Sequence, residues 1–389
     1  MSKFQPARRL QGIEKSMIRQ LFDRALPGSI NLGLGEPDLP TPDVIRQVGA
    51  RVILEEQNGY TTHAGLPALR ERVAEDYSPL NLTSDQVILT AGSQEALYLA
   101  LMTLVDEGDE VLLPDPGFVA YPTIVRMAGG RPVFYRLPRA KGFAFDEDEF
   151  RRSLTPRTKA VVCISPSNPT GRTLSGEQLA AMAAALSDAR PFVISDEIYR
   201  ELYYDKERPE SISNYYDRTI VIGGVSKSLS MTGWRLGWLC GEQEFIRSAL
   251  ILHGYVTTCA STISQKAALH GAWTSEAERD RERMRAIFRE RRDYLLELLT
   301  QQLGVIPVTP EGAFYTMVDT SAYGSSLMVA EELLKQGVIT VPGAAFGREC
   351  EGFLRISFCA DKPVLAEGVR RIGQALSGLL HNNSAFLIE

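Results

Sequence analysis

Between about residue 85 and residue 240 the chain alternates short, unbroken apolar runs with longer stretches whose apolar residues recur at helical spacing. The runs are DQVILT, DEVLLP, RPVFYRLP, AVVCIS, PFVISD, TIVIGG and RLGWLC. A strand with one wet face alternates apolar and polar side chains, whereas a strand covered on both faces is apolar throughout. Seven such runs separated by amphipathic helices predict an α/β domain: a mostly parallel seven-stranded sheet flanked by helices. The segment SEAERDRERMRAIFRERRDYLLELLTQQLG then carries apolar positions at helical spacing among many charges and stops at Gly304, which predicts a long connecting helix. Beyond it VIPVTP, AFYTMVDT, VITVP and FLRISF read as short strands, with one helix over SSLMVAEELLKQG and another after Pro363. That mixture predicts a smaller α+β domain. The expected division is an N-terminal segment (1–40) packed on the small domain, a large domain (41–280), and the connecting helix with the small domain (281–389).

Composition narrows the function classes. Of 389 residues 44% are apolar and 23% charged, as in ordinary water-soluble globular proteins. Forty-two Lys and Arg against 48 Asp and Glu leave a net charge of −6, without the basic footprint of a nucleic-acid binder. Cys163, Cys240, Cys259, Cys350 and Cys359 form no CxxC pair, and the four histidines show no zinc-binding spacing, so neither a disulfide framework nor a metal is expected. No signal-peptide-like apolar stretch and no run of about 18 apolar residues occurs, which gives the expectation of a cytoplasmic protein without a membrane partner.

The chemistry collects just after the buried strands. In an open parallel sheet ligands bind beyond the carboxyl ends of the strands. There AVVCIS leads into a turn holding Asn168, PFVIS into Asp196 and Tyr199, and TIVIGG into Ser226 and Lys227. Each has a plain reading: Asn168 as a turn former, Asp196 as a helix cap, Lys227 as half of an ion pair. Together they fit a carbonyl cofactor held as an imine, which needs a lysine, a carboxylate near a ring nitrogen and an aromatic stack. The small-residue turn and helix of LTAGSQEALYLALM add a phosphate cradle, with Gly92 allowing close approach and Ser93 donating. NLGLGEPD fails the dinucleotide pattern because Asp38 stands at the third glycine position.

The segments INLGLGEPDLPTP, GYTTHAGLPALRE, LTAGSQEAL, ISPSNPTG, ISDEIY, GVSKSLSMTGWRLGW, TPEGAFY, VPGAAFG and FLRISF resemble the ordered motifs of class I/II aminotransferases, pyridoxal 5′-phosphate enzymes of the aspartate aminotransferase fold. The resemblance spans about residues 10–375. It implies that Lys227 forms the Schiff base and moves the proton, that Asp196 pairs with the ring nitrogen, and that Asn168 and Tyr199 donate to the ring oxygen. It implies a phosphate shell of Gly92, Ser93, Gln94, Ser226 and Arg235, completed by Tyr60 from the second subunit of a homodimer with shared sites. Phe118 matches the aromatic stacked on the ring, Arg355 the grip on the substrate α-carboxylate, with Asn168 and Gly35 beside it. The N-terminal segment, including Ile18 and Arg19 of GIEKSMIRQLF, matches one that covers the pocket.

Two departures stand out: Gly224 replaces a serine that donates to the phosphate in many members, and Gln94 replaces a lysine found in some near a distal carboxylate. The implied reaction is ping-pong transfer of an L-amino acid's amino group to a 2-oxo acid, 2-oxoglutarate by family habit. Carbon–sulfur elimination or cyclopropane-forming synthase chemistry can begin from the same complex. A non-catalytic sensing domain is a remote alternative, because only about thirty residues precede the Gly/Pro segment and they carry no basic helix-turn-helix pattern.

Overall fold

A computed structural model describes residues 4–77 and 80–385, the last five as backbone only. In chain order the elements are α1 (Met17–Asp23), β1 (Ile30–Asn31), α2 (Asp43–Glu55), α3 (Pro67–Glu75), β2 (Val87–Thr90), α4 (Ser93–Leu104), β3 (Glu110–Asp115), α5 (Ala120–Met127) and β4 (Arg131–Arg136). There follow α6 (Glu147–Ser153), β5 (Thr158–Ile164), α7 (Gly176–Ala185), β6 (Phe192–Asp196), β7 (Thr219–Gly224), β8 (Gly237–Cys240), α8 (Gln243–Val256), α9 (Thr262–Gly271) and α10 (Ser275–Leu303). The chain closes with β9 (Tyr315–Asp319), α11 (Ser326–Lys335), β10 (Val338–Ile339), β11 (Val341–Pro342), β12 (Phe353–Ser357) and α12 (Lys362–Ala385).

All seven apolar runs enter one sheet, in the order β2-β8-β7-β6-β5-β3-β4. Only β8 runs antiparallel to its neighbours. Central strands are buried along their length; in β5 Lys159 alone is exposed. Strand β4 departs from the two-sided burial its run predicted, with Arg131, Phe134 and Arg136 exposed. It is one of the two sheet edges, and unlike the buried β2 at the other edge it is partly exposed; charge and the missing N–H of Pro132 discourage pairing with another chain there.

The connecting helix forms as α10, its start capped by Thr274, whose side chain accepts from the Ala277 N–H, and its end by Gly304 at φ 65°. VIPVTP is not a strand. Pro307 and Pro310 lack a backbone donor, and the segment only borders β9, through the Val308 N–H to the Met317 carbonyl at 3.0 Å. A three-stranded antiparallel sheet, β11-β12-β9, sets Arg355 opposite Val341 and Met317. The N-terminal segment reaches this region too: β1 pairs parallel with β10, Ile30 opposite Val338, and α1 packs on β11. Among the described residues no helix is long and apolar enough to cross a membrane.

Candidate active site

Strands β5, β6 and β7 end side by side, and the turns after them face a cavity of about 290 Å³. Asp196 is the last residue of β6. Its carboxylate accepts from the Tyr121 hydroxyl at 2.8 Å and from the Ile198 N–H at 3.3 Å. Burial, against the relief given by those bonds, pushes its pKa up to about 6. It forms no ion pair with a described residue.

Lys227 follows β7, and its Nζ donates to the Gly35 carbonyl at 2.7 Å. Burial pulls the ammonium below the ordinary lysine range, which favours the neutral, nucleophilic amine. Arg355, 3% exposed at the centre of β12, donates through Nη1 to Asn168 Oδ1 at 2.7 Å and through Nη2 to the Gly33 carbonyl. Its guanidinium lies 4.2 Å from the Tyr315 ring centre and 4.8 Å from that of Phe346. No carboxylate of the described residues pairs with it, and Nε has no partner at all. A buried guanidinium left this way is costly until an anion arrives, so the pocket is shaped for a carboxylate.

The cradle is built from glycines. Gly92 caps α4 at φ +86°, and a Cβ there would come within 2.5 Å of Arg235 Nη2. A Cβ on Gly237 would fall 2.7 Å from the Ser93 nitrogen. Both absences let the start of α4, with its unpaired N–H groups and positive dipole end, lie beside the Arg235 guanidinium. Arg235 is held by the carbonyls of Thr232 and Ala91, at 2.9 and 3.2 Å.

The cavity wall includes Gly35, Ser93, Gln94, Phe118, Asn168, Asp196, Tyr199, Ser226, Lys227, Arg235 and Arg355, and Ile18 from α1. Arg19 turns outward instead, its Nε 2.9 Å from Asp23 on an exposed helix face. Gly92 lies behind the wall rather than in it, and Gly224 belongs to a separate crevice, where a Cβ would sit 3.1 Å from Ile198 Cδ1. Tyr60 is outside the cavity of its own chain and 88% exposed.

Two tyrosines that sequence reasoning left without a role complete the arrangement. Tyr121 holds Asp196, and it meets Phe118 edge-on at 5.6 Å; their i, i+3 spacing in PDPGFVAYP was the available signal. Tyr315 shares a 2.9 Å hydrogen bond with the Tyr199 hydroxyl, underlies Arg355, and would sit 1.9 Å from a Cβ on Gly35, so any larger residue at 35 displaces Tyr315.

These residues fit pyridoxal 5′-phosphate: a buried carboxylate lacking a cation suits a pyridinium N–H, the α4 cradle with Arg235 suits a phosphate, and Lys227 suits an aldehyde. The family description "Aminotransferase class I and II" matches residues 27–372. The chain belongs to this family. Among its relatives, the aspartate aminotransferase of Pyrococcus horikoshii is 36% identical over 97% of this chain and 98% of its own length. The aspartate/prephenate aminotransferase of Thermus thermophilus is 37% identical over 89% and 91%. The solved aspartate aminotransferase of Thermus thermophilus with maleate superposes at a TM-score of 0.91, with 34% identity over 96% of this chain and all of that one. The aminotransferase is thus a pyridoxal-phosphate-dependent enzyme that transfers amino groups, and the fold expected from its apolar runs is the one found.

Proposed function

We propose that the aminotransferase exchanges the amino group of an L-amino acid with a 2-oxo acid, 2-oxoglutarate serving as the shared acceptor, in a ping-pong reaction centred on Lys227. The supporting observation is that buried Asp196 and Arg355 and the partly buried Lys227 converge on one cavity without counter-ions among the described residues. Pyridoxal 5′-phosphate, when bound, supplies an aldehyde to form a Schiff base and an electron-poor ring that absorbs charge from the substrate Cα. Asp196 keeps the ring nitrogen protonated. Arg355 and Asn168 orient the α-carboxylate, with Gly35 leaving room beside Tyr315. Lys227 Nζ would carry the proton from the substrate Cα to the carbon that was the cofactor's aldehyde, so that the amino group stays with the cofactor when the 2-oxo acid leaves. Asn168 and Tyr199 donate to the ring oxygen, Phe118 stacks on the ring, and the Gly92–Ser93–Gln94 turn with Ser226 and Arg235 receives the phosphate. Gly224, which lines a separate crevice, adds no hydroxyl to that shell.

The reading includes a cytoplasmic homodimer. Tyr60 and Tyr255 are 88% and 90% exposed, and Gly254, next to Tyr255 in α8, abuts His63, three residues from Tyr60. Exposed aromatic side chains brought near one another in this way suit an association surface, and from it Tyr60 would serve the site of the second subunit. Residues 1–40 act as a cover packed on the small domain, 41–280 as the cofactor-binding domain, and 281–389 as the connecting helix and small domain.

Purified protein mixed with an amino acid and 2-oxoglutarate should accumulate glutamate; pyruvate with ammonia would instead favour elimination chemistry. Borohydride reduction of the loaded enzyme should fix the cofactor to the peptide that contains Lys227, read by mass spectrometry, and Lys227→Ala should lose that adduct. An adduct on another peptide would move the covalent anchor to another residue.

A further inference from the structure

Glu95, in the first turn of α4, faces away from the cavity, and its side chain is only 8% exposed. Its carboxylate bends back toward the start of its own helix and accepts from three donors. One oxygen takes the backbone N–H of Ala91. The other takes His253 Nδ1 at 2.9 Å and the Thr257 hydroxyl. Against its burial, those bonds hold the Glu95 carboxyl below the usual carboxylate range, so it is ionised and accepts only, and Nδ1 is the donor. His253 is fully buried, and its Nε2 has no partner. The imidazole therefore spends its one good hydrogen bond on Glu95.

The peptide units at Ala91 are gripped from both sides. The Ala91 N–H goes to Glu95, and the Ala91 carbonyl goes to Arg235 Nη2 at 3.2 Å. The next residue is Gly92, at φ +86° and without a side chain to restrict it. A turn hinged on such a glycine aims its N–H groups only as well as its flanks are fixed, and charge-assisted hydrogen bonds are the strongest fixings available.

We propose that Glu95, braced by His253 and Thr257 at the end of α8, is a positioning residue that holds the Ala91–Ser93 turn in register for the cofactor phosphate. It touches neither substrate nor cofactor. The inference rests on the reading that the phosphate lies at the start of α4. Electrostatics alone predicts the opposite sign, since a carboxylate near a phosphate repels it, so the direction of the effect discriminates.

The test compares release of pyridoxal 5′-phosphate and of pyridoxal, which lacks the phosphate, from the full-length enzyme loaded with each. Glu95→Gln keeps one acceptor for Ala91 but turns an NH₂ toward His253 and Thr257, and Glu95→Ala removes both acceptors. Both variants are expected to weaken pyridoxal 5′-phosphate at least tenfold and pyridoxal less than twofold. His253→Asn, which restores an amide N–H near the Nδ1 position, should lie closer to the unsubstituted enzyme than His253→Leu. Should Glu95→Ala fail to fold, Glu95→Gln and the His253 pair carry the measurement. Equal weakening of both ligands, no weakening, or tighter binding of the phosphate form overturns the proposal. Arg235→Ala is the reference: a phosphate-specific loss there without one in the Glu95 variants refutes the positioning role alone. No phosphate-specific loss in Arg235→Ala refutes the placement of the phosphate itself.

Discussion

Replacing Asp196 by asparagine should stabilise the cofactor-free aminotransferase while weakening its hold on the cofactor. Burial raises the Asp196 pKa from 3.8 to about 6 in the absence of a cationic partner. A raised folded-state pKa gives stability that is complete below the unfolded value and is lost as pH climbs through the folded one. A rise of about two units corresponds to about 3 kcal/mol, at 1.36 kcal/mol per unit. Relative to a neutral isostere, the native carboxylate should therefore cost about 1.5 kcal/mol at pH 5 and about 3 kcal/mol by pH 7. Asparagine keeps an acceptor for the Tyr121 hydroxyl, loses the one for the Ile198 N–H and does not ionise, so the difference should rise with pH along that curve from a pH-independent offset. Urea unfolding of both cofactor-free proteins at one fixed concentration, at pH 5 and pH 8, measures it. A stability difference that does not grow in favour of the asparagine variant between pH 5 and pH 8 would refute the idea that the native acid is held in the protein at a cost. The same substitution removes the partner of the ring nitrogen, so turnover should fall by roughly 10²–10⁴-fold.

Further outcomes follow from neighbouring residues. Gly35→Ala drives a Cβ to 1.9 Å from the Tyr315 hydroxyl; overpacking of this kind costs about 1–3 kcal/mol, and a displaced Tyr315 should raise the KM for amino acids. An unchanged melting temperature and KM would contradict that account. Arg355→Lys loses the planar fork, and a penalty of about 1.5–3 kcal/mol in kcat/KM is expected, read from initial rates with any good donor. Gln94 offers a distal carboxylate a neutral hydrogen bond only. Gln94→Lys should lower the KM for 2-oxoglutarate about tenfold, the difference between neutral and charge-assisted bonds, and leave donors with apolar side chains unaffected; a uniform change across donors would place residue 94 away from the side-chain end.

The sheet was legible because burial on both faces writes itself into sequence as unbroken apolar runs. Where the environment differs, so does the reading: β4 has the same kind of run yet is an edge, and VIPVTP has strand-like residues but prolines where donors are needed. Asp196, Asn168 and Lys227 could be read as convergent because each follows a strand of one sheet. Tyr315 and Tyr121 could not, since their parts depend on register and packing between distant segments, Tyr315 under Arg355 and Tyr121 against Asp196. Glycine at 35 looked like a small residue near a carboxylate; the Tyr315 hydroxyl beside it is a contact that sequence spacing does not encode. Glu95 sits inside a motif that was read for its neighbours, and its partners lie on another helix.

The ladder joining Ile30 to Val338 ties the first wall of the cavity to a strand some three hundred residues later. Translation at about 5–20 residues per second leaves Gly33 and Gly35 waiting roughly 15–60 s for that strand to leave the ribosome. Pocket assembly is consequently a terminal event of biogenesis, and a nascent chain truncated before residue 338 lacks the strand on which β1 docks.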